Sequence, residues 1–244
     1  MILKTEAIVL KTFDLRETSK IAVFFSRGYG KIKGVMKGIR KDPRKFGSSV
    51  DKFSVNDIVY YTHRNSDLHL ISQCDLKEFF FPVRKEIKRS MAAQYILDLV
   101  DAMMPVEEDN KEVYQLMLDS FKSLEDISDV SKLVHLVQIK MLQLTGFKPH
   151  IDSCLVCAKK ISSKARFSAR LGGLICSQCQ ASDTSAHPVS PGTVASLLHI
   201  ECNSWPGCLR LGLTAPVKKE LKYILNNFLV FHLERQLKTT RFLS

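Results

Sequence analysis

The sequence predicts an α+β chain: a small N-terminal β-barrel, then an α-helical domain carrying an inserted four-cysteine module. Three observations predict it. Five short runs of β-branched and aromatic residues crowd into the first 81 residues, with no long helical pattern between them. From about Arg84 the apolar residues recur at helical spacing instead. Between two helical stretches lie the pairs Cys154/Cys157 and Cys176/Cys179, with eighteen residues between them.

The five expected strands are Thr5–Thr12, Lys20–Ser26, Lys31–Lys37, Ile58–Thr62 and Leu68–Ser72, each bounded by turn residues. So many short strands without an intervening helix suggest closure into a barrel. In the third, Lys31, Lys33 and Lys37 alternate with Ile32 and Met36, the pattern of a strand with one wet, basic face. The helical part begins with Ile87, Met91, Ala92, Tyr95, Ile96, Leu99, Val100 and Met103 on one face, and stops before Pro105. Glu112–Leu124 and Val130–Thr145 repeat the pattern, the latter ended by Gly146. Ser190-Pro191 is an N-cap followed by proline at the first helical position, opening a helix to about His199. A last helix runs from Pro216 to about Lys238. These helices are most simply one bundle, with their apolar stripes as its core.

The chain has 244 residues, 45% of them hydrophobic, enough to bury a core, and a net charge of +11 that makes a polyanion the first partner to test. That charge is uneven. Residues 82–150 are net acidic, whereas Arg27, Lys31, Lys33, Lys37, Arg40, Lys41, Arg44 and Lys45 face one acid, Asp42, within nineteen residues. These eight residues are the candidate nucleic-acid-binding set. Phe13, Tyr29, Phe46 and Phe53 are candidates for stacking on bases, with core packing as the competing reading. A solubilising face is the bland reading of the charge run.

Two residues between thiols let one short turn present both sulfurs to a single tetrahedral ion, and two such turns make a closed site. The spacing of Cys154, Cys157, Cys176 and Cys179 falls inside the window for structural zinc, and Gly172-Gly173 suggests a hairpin carrying the second turn. Buried thiols and a redox dithiol are the rivals. The expectation is one structural zinc per chain, since four thiolates leave no open position for a reactive water. Cys74, Cys202 and Cys208 lack partners at ligand spacing and are expected to be buried. No phosphate-binding loop, dinucleotide fingerprint or nucleophile elbow occurs, so no enzymatic role is expected. No apolar run is long enough to span a membrane, and the chain opens without a signal-like segment, which together suggest a cytoplasmic protein.

Taken in order, the motifs resemble those of the RecO family of bacterial recombination mediator and DNA repair proteins. The resemblance begins at Glu6–Thr12 and Glu17–Lys20 and is strongest at Gly30–Lys41, which is similar to the family's G-K-x-x-x-x-x-K-G-x-R signature. It continues through the Tyr95–Met103 helix, Leu144–Pro149 ahead of the first cysteine pair, Gly172–Cys176, and the ending Leu237–Leu243. It implies an OB-fold DNA-binding domain over 1–81, a helical domain in two parts (82–153 and 182–244) and a zinc finger inserted at 154–181. It also implies binding to single- and double-stranded DNA, strand annealing, and loading of the RecA recombinase onto strands coated with single-strand-binding protein. The implied partners are RecR, the C-terminal tail of single-strand-binding protein and, indirectly, the RecA filament, with no membrane, in a cytoplasmic, nucleoid-associated setting. The alternative is a protein-interaction adaptor with a structural zinc module and no direct DNA role.

Overall fold

A computed structural model describes residues 1–41, 46, 50–62, 66–106, 108–161 and 164–243. The first five strands are β1 (Ile2–Leu15), β2 (Ser19–Ser26), β3 (Gly30–Met36), β4 (Val55–Tyr61) and β5 (Leu68–Glu78). They close into a barrel in the order β1-β2-β3-β5-β4, an OB-like arrangement. All pairs are antiparallel except β3 with β5, which run parallel through Lys33↔Leu68 and Val35↔Leu70. β1 is longer than its apolar run suggests because it serves two neighbours. Ile2–Ile8 pairs with β4 and Ala7–Leu15 with β2, and the register slips between Val9 and Lys11. A bulge of this kind bends a strand, which is how one ribbon can turn the corner of a small barrel.

The barrel interior holds Ala7, Val9, Ala22, Phe24, Ile32, Met36, Ile58, Tyr60, Ile71 and Cys74. Ile8, Leu10 and Phe25 alternate with these, so they point outward, yet they too are fully buried. Helices supply the cover. After a short α1 (Phe81–Lys85), α2 (Ile87–Met103) and α3 (Lys111–Asp126) pack beside the strands. Phe25 stacks on Tyr114 of α3 at 6.5 Å between centroids. Phe121 of α3 meets Phe80 at 5.4 Å and Phe53 at 6.2 Å. Gly30 belongs to the same contact: its φ is +63°, and a Cβ there would come within 2.3 Å of the Glu108 carbonyl oxygen.

In the rest of the chain α4 (Val130–Leu144) is buried along most of its length and packs on α5 (Pro191–Cys202) and α7 (Ala215–Leu233). Two lysines of α4 hold the ends of other helices. Lys140 donates to the Asn203 carbonyl at 2.9 Å at the end of α5. Lys132 donates to the Leu209 carbonyl at 2.8 Å at the end of α6 (Trp205–Arg210), a helix that periodicity did not suggest. β6 (Ala165–Ser168) and β7 (Gly173–Cys176) form the expected hairpin, and β8 (His187–Val189) adds a third strand on the other side of β6. The last helix ends earlier than expected, at Leu233, because Glu234 takes the left-handed conformation (φ 53°). Of the three unpaired cysteines, Cys74 and Cys208 are buried as expected, but Cys202 is exposed at the end of α5.

Contacts divide the chain into two compact units, Met1–Asp126 and Ile127–Ser244. By these contacts α2 and α3 fall in the barrel unit, and α4 to α7 in the other. The apolar outer surface of β1 and β2 demands α2 and α3, which periodicity alone could not reveal.

Helix α5 opens on a built cap. Ser190 Oγ accepts from the Thr193 N–H at 3.3 Å. The Glu220 carboxylate of α7 accepts from Ser190 N–H at 2.8 Å, Ser190 Oγ at 2.9 Å and Thr193 Oγ1 at 2.6 Å. Burial alone would raise the Glu220 carboxyl, but these donors outweigh it and hold it below the ordinary glutamate value. Replacing Glu220 with Gln is expected to cost about 1–3 kcal/mol near neutral pH, measured by denaturant unfolding. Because the folded value is the lowered one, this stability is present above the ordinary glutamate value and is lost as pH falls through the folded value. The gap between the wild type and Glu220→Gln should close on acidification; a gap independent of pH would refute the assignment.

Candidate metal centre and nucleic-acid interface

The cysteine module is too small for a core of its own. Its buried apolar set is Cys154, Ile175 and Ala186, with Ile161, Leu171 and the other three cysteines against them. Backbone hydrogen bonds shape it. Cys154 N–H donates to the Lys159 carbonyl, and Ala158 N–H to the Cys154 carbonyl, both at 2.9 Å. Leu155 N–H donates to the Leu174 carbonyl at 2.9 Å, which pins the first turn to β7. Gly173 permits the close pass of the incoming chain, since a Cβ there would lie 2.1 Å from the His150 carbonyl oxygen.

This frame brings the four sulfurs within 4.8 Å of one another. Cys157 Sγ lies 3.9 Å from Cys176 Sγ. Four sulfurs each about 2.3 Å from one ion at tetrahedral angles would be about 3.8 Å apart, so the set has the size of a closed metal site. The electrostatics agree. Burial would raise the Cys154 thiol, but backbone N–H groups of Cys157, Cys176 and Val156 bond its sulfur and bring it down to about 6. Cys179 goes the other way: bonding to Cys176, then burial, then bonding to Cys157 and Cys154 push it up to about 12. Four adjoining thiols can all lose their protons only if a cation compensates the charge.

The basic residues are spread along the barrel, not gathered in one place. Arg27 is exposed in the β2–β3 turn, its N–H bonded to the Glu6 carbonyl at 2.9 Å. Lys33 and Lys37 face solvent on one side of the β3 line, while Ile32, Gly34 and Met36 on the other are buried. Lys31 differs from these. Its ammonium donates to the Asp101 carbonyl at 3.0 Å and lies 3.8 Å from that side chain's Oδ1. Asp101 Oδ2 also takes Lys11 at 2.5 Å. Lys31 is therefore half-buried against α2 and joins barrel to helix.

At the other end of β2, about 23 Å away for seven residues of strand, two turns meet. Arg40 N–H donates to the Thr18 carbonyl at 3.0 Å, and its guanidinium to the Arg16 carbonyl at 3.2 Å. Arg40 also lies 3.8 Å from Asp14. Lys41 N–H closes the turn onto Gly38, whose φ is +79°. Lys37, Arg40, Lys41 and Arg16 are all exposed here. Arg16 was hidden in the sequence by the acids on either side, Asp14 and Glu17; only the hairpin register, Leu15↔Ser19, lifts it onto this end. Arg44 and Lys45 lie outside the described residues. Of the four aromatic candidates, Phe46 and Phe53 are buried, whereas Phe13 (53%) and Tyr29 (39%) are exposed. Phe53 is also covered by the Arg84 guanidinium, 4.0 Å from its centroid.

Among the described residues no helix is long and apolar enough to cross a membrane. A family profile described as "Recombination protein O N terminal" matches residues 1–80, and one described as "Recombination protein O C terminal" matches residues 84–241. Among curated proteins, a DNA repair protein RecO from Pelotomaculum thermopropionicum is 31% identical, over 99% of this chain and 93% of its own length. Another from Desulforamulus reducens is 30% identical over 100% and 94%, and one from Alkaliphilus metalliredigens is 28% identical over 96% and 95%.

The geometry of the cysteine module predicts one tightly held divalent ion per chain, countable by native mass spectrometry. Cys154→Ser or Cys176→Ser should abolish stoichiometric loading and lower the unfolding temperature, because ion binding stabilises the folded module. Full stability in thoroughly chelated protein would contradict this.

Proposed function

Since the chain belongs to the recombination protein O family, we propose that it is a DNA-binding DNA repair protein whose barrel captures phosphates without reading bases. One observation carries the reading: the exposed cluster of Lys37, Arg40, Lys41 and Arg16 where the β1–β2 and post-β3 turns meet, with Lys33 continuing it along β3. Lysine and arginine set along a strand can follow a polyanion, and neutralised strands can approach one another, which is the electrostatic requirement for annealing. Phe13 stands beside the cluster as a ring for a base to stack on. Arg27 and Tyr29 at the opposite end lengthen the track. Lys31 acts through Asp101, as a brace.

In this reading the ion held by the four cysteines is zinc, which fits an all-thiolate donor set and is structural. The protein anneals single strands and helps deliver them to the RecA recombinase, acting with RecR and with the acidic tail of single-strand-binding protein. It works in the cytoplasm, associated with the nucleoid. The chemistry is binding and release; no bond-making step is assigned to it.

The test is annealing of complementary oligonucleotides by zinc-loaded protein across a salt series, without nucleotide. If about five cations hold phosphates, log affinity for single strands should fall with log salt at a slope of roughly −3.5. The triple charge reversal Lys37→Glu, Arg40→Glu and Lys41→Glu should lower affinity at least tenfold at low salt and flatten that slope by about two units. A folded triple variant with wild-type affinity and slope would exclude the barrel end as the DNA surface. It would leave the adaptor reading.

A further inference from the structure

We infer that the outward face of α7 is a second surface for single-stranded nucleic acid. The inference deepens the strand-binding reading and rests on it for the class of ligand. α7 turns Leu221, Ile224, Leu225, Phe228 and Leu229 into the core. It also leaves Tyr223 49%, Val230 40% and Phe231 50% exposed. Solvent-facing helix positions accept polar residues readily, so three large apolar side chains within nine residues point to an occupant.

Two of the three are rings braced by histidine. Tyr223 lies on His187 of β8, with centroids 4.0 Å apart and planes tilted by 34°. Phe231 meets His232 edge-on at 5.5 Å, and His232 packs in turn on Phe147 at 5.1 Å and Phe228 at 4.3 Å. Phe147 is itself 40% exposed. Bracing removes the freedom a ring would otherwise lose on binding. Eight residues of helix separate the two rings, about 12 Å along the axis. That leaves room for a short run of bases, which stack about 3.4 Å apart.

Cations bracket the rings. Lys219 stands one turn before Tyr223, and Arg235 follows Phe231 by four residues, just past the helix end. Both are exposed, and among the described residues neither Lys219, Arg235 nor Lys238 is paired with an acid. Glu220 is committed to Ser190 and Thr193, which leaves Glu234 as the acid on this stretch. Flat, braced rings at intervals with a cation at each end match the repeat of a single strand, π-face then phosphate. A second hold on nucleic acid in the same chain would let it carry two strands at once.

The test uses full-length, metal-loaded protein and a short oligothymidylate carrying 5-iododeoxyuridine, irradiated and mapped by mass spectrometry. Crosslinks to Tyr223 or Phe231 are expected, and they should persist in the barrel triple charge reversal. The pair Tyr223→Ala and Phe231→Ala should remove them and slow annealing about tenfold per ring lost. The pair Tyr223→Phe and Phe231→Tyr, which keeps both rings, should retain them. Crosslinks confined to the barrel, with annealing unchanged in the alanine pair, would overturn the inference and leave the barrel reading standing. Loss of acidic-peptide capture in the alanine pair, with oligonucleotide binding intact, would also overturn it, marking a protein-docking face. No oligonucleotide affinity in any form of the protein would sink both readings.

Discussion

Burial of both faces of β1 and β2 is the constraint on which the barrel unit depends. A five-stranded barrel fills its interior with one set of alternate residues, here Ala7, Val9, Ala22 and Phe24. The other set should then be polar, but Ile8, Leu10 and Phe25 are as apolar and as buried as the interior. At about 25 cal/mol per Å² of apolar surface, leaving such side chains in water would cost several kcal/mol. α2 and α3 remove that cost. Their packing commits Tyr114 to the Glu6 carboxylate at 3.1 Å and Asp101 to both Lys11 and Lys31. The cations left for a ligand are those the helices do not reach.

The cysteine module follows a different physics. With three residues at its apolar centre, it has too little to bury, and its shape rests on hydrogen bonds plus the charge balance of four thiols. The Leu155–Leu174 bond and the close pass of His150 over Gly173 tie the two cysteine turns into one frame. An ion bound by all four sulfurs would add its binding energy to folding.

Much of the architecture was legible in the sequence because it depends on local periodicity. The five strands, the helices α2, α3, α4, α5 and α7, the β6–β7 hairpin and the cysteine cluster follow from spacing, and the Ser190-Pro191 pair marks the start of α5. The candidate site was legible only in part. A run of charge in sequence does not say which lysine will meet an internal acid, so Lys31 read like Lys33 although Asp101, seventy residues on, claims it. Arg16 was invisible for the converse reason: Asp14 and Glu17 cancel it in sequence, and only the meeting of the two turns sets Arg40 and Lys41 beside it.

By itself, then, the sequence determined most of the secondary elements, the two cysteine pairs and the sign of the surface charge, because each is set by residues within a few positions of one another. Tertiary structure decided which apolar face the helices cover, where each cation points and which rings stay in water. Phe53 and Phe13 show the difference. Both are aromatic residues of the barrel unit, yet Phe53 lies under Phe121 and Arg84 while Phe13 faces solvent. Exposure is a property of what packs from elsewhere in the chain, and no local pattern encodes it.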